Sequence, residues 1–141
     1  MSDVIERQIL QQADDLLALK KTWAYGTWAR DRYDDPCHWG SQQVVRWSAY
    51  GALAKFAAPW TKGLGDRGAM LFGMRAEHRC CAIRGTMRTV NDRLGYWPMM
   101  RLLKAGLARD AAPYIPSGRA GVRFCREEAA RLQLLLADCE Y

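Results

Sequence analysis

Residues Ser41 to Phe56, SQQVVRWSAYGALAKF, carry the pattern on which the rest of the chain is read. Ser41 can accept a hydrogen bond from first-turn amides. Val44, Trp47, Tyr50 or Gly51, Leu53 and Ala54 then recur at three- and four-residue spacings, which build one apolar face on a helix. The spacing predicts a central core helix over 41–56, closed before Pro59 because the residue preceding a proline is driven away from helical angles. Gly51 and Ala52 thin one side of it, so that a second helix can approach closely, and Trp47 supplies the large filler beside them.

Working outward, Val4 to Leu19 repeats the amphipathic pattern. Ser2 or Asp3 serves as cap, Glu6 lies in the first turn, and Ile5, Ile9, Ala13, Leu16 and Leu17 form the apolar stripe. Gln8, Gln11, Gln12, Asp14, Asp15 and Lys20 make its wet face. Between Lys21 and Gly40 the composition shifts to closely spaced aromatics, glycines and aspartates. A loop with one short extended piece is expected there, since Trp23, Tyr25 and Thr27 alternate and Asp34-Asp35-Pro36 is turn chemistry. Pro59 to Gly68 reads as a surface loop, and a third helix starts near Asp66, with Gly85 interrupting it. Residues 86–93 continue as a short helix that stops at Asn91-Asp92-Arg93-Leu94-Gly95. Trp97 to Arg109 forms a helix opened by Pro98, with Met99, Leu102, Leu103, Gly106 and Leu107 inward. After a loop at Ala111 to Gly121, the last helix runs from Val122 to Asp138. The fold class read from this pattern is all-α, one compact domain over 1–141 with about five or six helices and a Trp/Tyr-rich loop.

The chain of 141 residues has a net charge of +6, five cysteines and no apolar run long enough to span a bilayer. The N-terminal MSDVIERQIL lacks the greasy stretch of a secretion signal, and the cysteine spacing fits neither a zinc finger nor a disulfide scaffold. A cytoplasmic protein with reduced thiols and no membrane association is expected. The charge is unevenly placed. Residues 62–109 carry ten basic side chains against three acidic ones, whereas 1–61 carry seven of each. Such a concentration is the electrostatic footprint of a polyanion binder.

Arg46-Trp47-x-x-x-Gly51-Ala52-Leu53, a second helix, and Asn91-Asp92-x-x-Gly95 leading into another resemble a family of small uncharacterised bacterial and phage proteins. Members of that family carry an RWC-x-x-GAL helix and a WND turn. The resemblance spans roughly Leu10 to Ala111 and implies a compact helical fold and a mobile-element origin. Ser48 stands where the family has cysteine and Val90 where it has tryptophan, so any chemistry of that cysteine is missing here. The family has no known activity, and the resemblance supplies no site.

Four constellations bear on function. Arg75, Arg79, Arg84, Arg88, Arg93, Arg101 and Lys104 include pairs three or four apart that share helix faces and can contact successive phosphates. Trp23, Tyr25, Trp28, Arg30, Arg32, Tyr33 and Trp39 set aromatic rings beside arginines, with His38 among them. That composition suits stacking on bases and protein interfaces alike, and the preferred reading is a lid of rings over a small helical core. Cys37, His78 and Asn91 follow the chain order of papain-like hydrolases, and Cys37, His38, His78 and Cys81 are a candidate zinc set. Neither set has the surrounding motif or spacing its chemistry requires, which favours a satisfied core histidine and buried thiols. Asn91-Asp92 before Gly95 reads as local turn chemistry. The sequence thus predicts a non-enzymatic binding protein with no cofactor, no metal and no catalytic residue. It uses the arginine set on nucleic acid or a nucleoprotein complex. The alternative is a protein-protein interaction module, a phage or mobile-element accessory or inhibitory protein, that meets a protein partner through the aromatic loop.

Overall fold

A computed structural model describes residues 2–61, 65–69, 76, 80, 86–108 and 119. Arg75, Arg79, Arg84, His78, Cys81 and the helix expected over Val122 to Asp138 lie outside these residues. Helix α1 spans Ser2–Leu17 and is followed by a 3-10 turn at Lys20–Thr22. Strands β1 (Ala29–Asp31) and β2 (Val44–Trp47) precede α2 (Ala49–Ala57), which tightens into a 3-10 turn at Ala58–Thr61 around Pro59. A short helix α3 (Thr86–Thr89) widens into a π-helical turn at Val90–Leu94, and α4 covers Tyr96–Ala108.

The described fold is mostly helical but not all-α, and the correction falls inside the stretch expected to be one helix. Ser41 caps only a tight turn, its Oγ accepting from Gln43 N at 3.1 Å. Val44 to Trp47 then form a strand antiparallel to β1, with Ala29 opposite Trp47, Arg30 opposite Arg46 and Asp31 opposite Val44. The register shifts between Arg30 and Asp31, and Val45 is left without a partner at that irregularity. Two adjacent valines and a tryptophan favour a pleated, half-buried surface over a helix, and the second serine supplies a better start. Ser48 is extended (φ −70°, ψ 166°) and its Oγ accepts from Gly51 N at 2.9 Å, so α2 begins at Ala49.

Helices α1, α2 and α4 supply most of the main core among the described residues, and Ala76, Cys80 and Met87 also belong to it. Ile9, Leu10, Ala13 and Leu17 of α1 meet Ala49, Ala52, Leu53 and Ala57 of α2 and Met99, Met100, Leu102 and Leu103 of α4. Helices α1 and α4 run antiparallel: Arg7 Nη2 donates to Leu107 O at 3.0 Å, while Tyr96 OH donates to Leu17 O at the opposite end. Asp14, expected on the wet face of α1, is only 8% exposed, because Lys104 reaches it from α4 at 3.3 Å. A smaller cluster of Ala29, Trp39, Val44, Ala54 and Ala69 joins the sheet to the far side of α2.

Gly51 serves a different contact from the one expected. Its open side faces the Trp28 carbonyl of the loop before β1, and no helix among the described residues supplies that contact. A Cβ at this position would lie well inside van der Waals contact with that oxygen. The Trp28 carbonyl is held by Ser48 N and Ser48 Oγ, each donating at 3.1 Å, so it cannot retreat without losing both bonds. Gly51→Ala is expected to lower stability by about 1–3 kcal/mol, as overpacking of rigid backbone does, read as a fall in the urea midpoint. An unchanged midpoint would contradict this contact.

Candidate binding surfaces

The site is built on the π-helical turn after α3, which points two consecutive polar side chains back into the fold. Asn91 is fully buried, and both ends of its carboxamide are saturated. Its Oδ1 accepts from Trp23 Nε1 at 2.8 Å and from Ala49 N at 2.9 Å. Its Nδ2 donates to Ala24 O at 3.1 Å and to Asp92 Oδ1 at 2.9 Å. Those four bonds use the full capacity of the group. Asp92 accepts from Gly26 N at 2.9 Å and from Tyr50 OH at 3.1 Å. Burial first, and the neighbouring Asp92 carboxylate second, push the Tyr50 phenol up to about 12. The local turn chemistry read from the sequence is therefore a long-range clamp. It fixes the start of the aromatic loop and the first turn of α2, 42 to 68 residues away in the chain.

The clamp decides which rings of the loop face out. Trp23 packs edge-on to Tyr96 at 5.6 Å, Trp28 edge-on to Tyr50 at 4.9 Å, and Trp39 is only 7% exposed. Tyr25, Arg32 and Tyr33 remain outside, with Arg32 stacked 4.7 Å over the Tyr33 ring. Arg30 lies beneath them and donates to Tyr25 O at 3.2 Å and to Asp34 O at 2.9 Å. Its cross-strand neighbour Arg46 forms an ion pair with Asp34, which also faces Arg30 at 3.9 Å. One carboxylate thus relieves two like charges set opposite each other. Tyr25, Arg30, Asp34 and Arg46 line a cleft of about 180 Å³.

The basic residues divide between two places. Arg88 sits 3.9 Å from Asp92 and over the Tyr50 ring, beside the clamp, and Lys104 is paired with Asp14. Arg93 and Arg101 are exposed, and no partner for either is found among the described residues. On α4 the exposed positions Trp97, Arg101, Lys104 and Ala108 make one continuous outer stripe, opposite buried Met99, Leu102, Leu103 and Gly106. Trp97 is 53% exposed. Lys20 lies 6.0 Å over the ring of Tyr96, whose ring is 5.0 Å from that of Trp97, so a further cation stands at the head of the stripe. Sequence reading used Trp97 only as a helix start. The spacing 97, 101, 104 was the signal that would have placed it among the cations.

The thiol and imidazole sets behave differently from catalytic or ligand sets. Burial, and then Asp31, push the Cys37 thiol up, so it stays protonated, the opposite of an activated nucleophile. His38 Nδ1 accepts from Gly40 N at 3.0 Å and its Nε2 pairs with Asp66 at 2.7 Å, which leaves no ring nitrogen to take a proton from sulfur. Asn91, with four bonds already made, cannot orient an imidazole. Among the described residues, no group of three or more His, Cys, Asp or Glu side chains is placed to hold a metal ion, and no helix is long and apolar enough to cross a membrane. No protein-family model matches the chain, and no curated protein or solved structure matches it either.

Asn91→Ala is expected to strand the Trp23 indole N–H, the Ala49 amide and the Ala24 carbonyl, and to destabilise by about 3 kcal/mol or more, measured by urea unfolding. A loss below about 1 kcal/mol would contradict the clamp. For Tyr50 the folded pKa lies above the unfolded value of about 10, so the folded state holds the proton longer. Stability should accordingly fall as pH rises from about 10 towards 12, and Asp92→Asn should bring Tyr50 ionisation to lower pH in a tyrosinate absorbance titration.

Proposed function

We propose that this protein is a non-enzymatic binder of single-stranded nucleic acid, alone or within a nucleoprotein complex, through the cationic residues of 75–104. The observation that carries the reading is the outer stripe of α4, where an exposed indole stands one turn from Arg101 and two turns from Lys104. A base can stack on the Trp97 face while Arg101, Lys104 and Lys20 meet the phosphates on either side. That combination of ring and cation needs no groove and little sequence preference. Residues 86–108 carry four basic side chains and one acid, and with Arg88 beside Asp92 and Lys104 beside Asp14, Arg93 and Arg101 are left to favour a polyanion among the described residues.

A second reading is supported by the loop at 25–34. There Arg30, Arg32 and Arg46 are matched by Asp31, Asp34 and Asp35, while Tyr25 and Tyr33 stand exposed. A neutral, tyrosine-rich tip suits a protein partner better than a polyanion. An accessory protein of a phage or mobile element, in line with the sequence resemblance, would use that tip. The two readings part experimentally. Trp97→Ala and Arg101→Glu should each weaken binding of labelled single-stranded DNA or RNA about tenfold in fluorescence anisotropy, and the Arg101 change should also flatten the salt dependence. Tyr33→Ala should leave that affinity unchanged. Undiminished binding in both α4 variants would overturn the first reading.

A further inference from the structure

A second cleft shares no lining residue with that of Arg30 and Arg46, and its chemistry differs. It measures about 220 Å³ and is lined by Trp28, Cys37, His38, Trp39 and Asp66. The lining is mostly apolar and aromatic, and Asp66 carries its one fixed formal charge among the described residues. Gly40 N donates to His38 Nδ1, which leaves the proton on Nε2, aimed at Asp66 Oδ2. Asp66 therefore brings a carboxylate to the mouth of an aromatic cavity, and among the described residues His38 is the partner found for it. The Cys37 thiol, kept protonated by burial, adds polarisable surface without charge.

We propose that this cleft binds an alkylated ammonium group, an N-methylated amine or a quaternary ammonium. Indole faces attract a cation through the ring quadrupole, and a nearby carboxylate strengthens the attraction. The wall chemistry selects within the class of cations. An unmodified lysine ammonium is strongly hydrated and has three donors to satisfy, for which the described lining offers one partly committed carboxylate beside two indoles and a thiol. A guanidinium seeks both oxygens of a carboxylate, and Asp66 Oδ2 is already committed to His38. Methyl groups around a diffuse positive charge need neither. His38 is a positioning residue here: stacked 4.6 Å from the Trp39 ring and bonded to Asp66, it holds the carboxylate against the aromatic wall. This inference is independent of the α4 stripe and stands or falls without it.

The test uses the full chain and two probes of nearly identical shape, choline and its neutral isostere 3,3-dimethylbutan-1-ol. The indole N–H resonances of Trp28 and Trp39, assigned through Trp→Phe variants, are followed by NMR. Choline should shift both indoles saturably, with a Kd in the millimolar range and at least about fivefold tighter than the alcohol. Asp66→Asn, at an exposed position that leaves the fold intact, should remove that difference. Equal affinity for the two probes, no saturable shift with choline, or an Asp66→Asn protein that keeps the preference would each overturn the proposal. Tighter binding of guanidinium than of choline would overturn the choice of alkylammonium.

Discussion

The carboxamide of Asn91 is buried where three groups, the Trp23 indole N–H, the Ala49 amide and the Ala24 carbonyl, would otherwise be stranded without water. A buried amide N–H or carbonyl left unpaired costs about 1–3 kcal/mol, a large share of what holds a chain of this size together. Asn91 satisfies the Trp23 indole, the first amide of α2 and the Ala24 carbonyl at once, and passes its remaining donor to Asp92. An isosteric Asp would lose both donors, and a Leu would strand every partner. Only a carboxamide serves both sides, and Gln would carry it one methylene too far, which makes this position the keystone of the described fold.

The surfaces follow from that bond set. Trp23 and Gly26 are tied to the turn at Val90–Leu94, so the aromatic loop leaves α1 at a fixed angle and reaches Gly51 with its Trp28 carbonyl. Tyr25 and Tyr33 are thereby turned out, while Trp28 and Trp39 line the cleft that Asp66 completes. The same turn ends at Gly95, in the left-handed region at φ 102°, and sets the start of α4 and the azimuth of its outer stripe. A single polar hub therefore orients the exposed indole of Trp97 and the loop tyrosines relative to one core.

Helices α1 and α4 are legible because their apolar residues recur at helical spacing over three turns or more. The first half of 41–56 is not, because Val44 and Trp47 satisfy a helical stripe and a strand equally. What decides between them is pairing with Ala29–Asp31, a contact that spacing within the segment does not encode. Ser48 and Ser41 are both sound caps in isolation, and only the Trp28 carbonyl selects the second. Asn91 and Asp92 look like turn residues locally. Their role lies in partners far away in the chain, which no window of sequence contains. The basic excess was visible from composition. Which cations are already paired, Lys104 with Asp14 and Arg88 with Asp92, depends on tertiary packing. The cleft of Cys37, His38 and Asp66 was half visible, since the loop residues drew notice while their acidic partner lay 28 residues on.

Native-state hydrogen exchange at the Trp23 indole and the Ala49 amide tests the central claim most directly. Both protons end on the same buried oxygen, and neither can reach water unless the clamp opens. They should exchange together, at the free energy of global unfolding measured independently with urea. Exchange of either proton at the rate of an exposed loop amide, with the helices still protected, would show that Asn91 does not hold the fold in the way described.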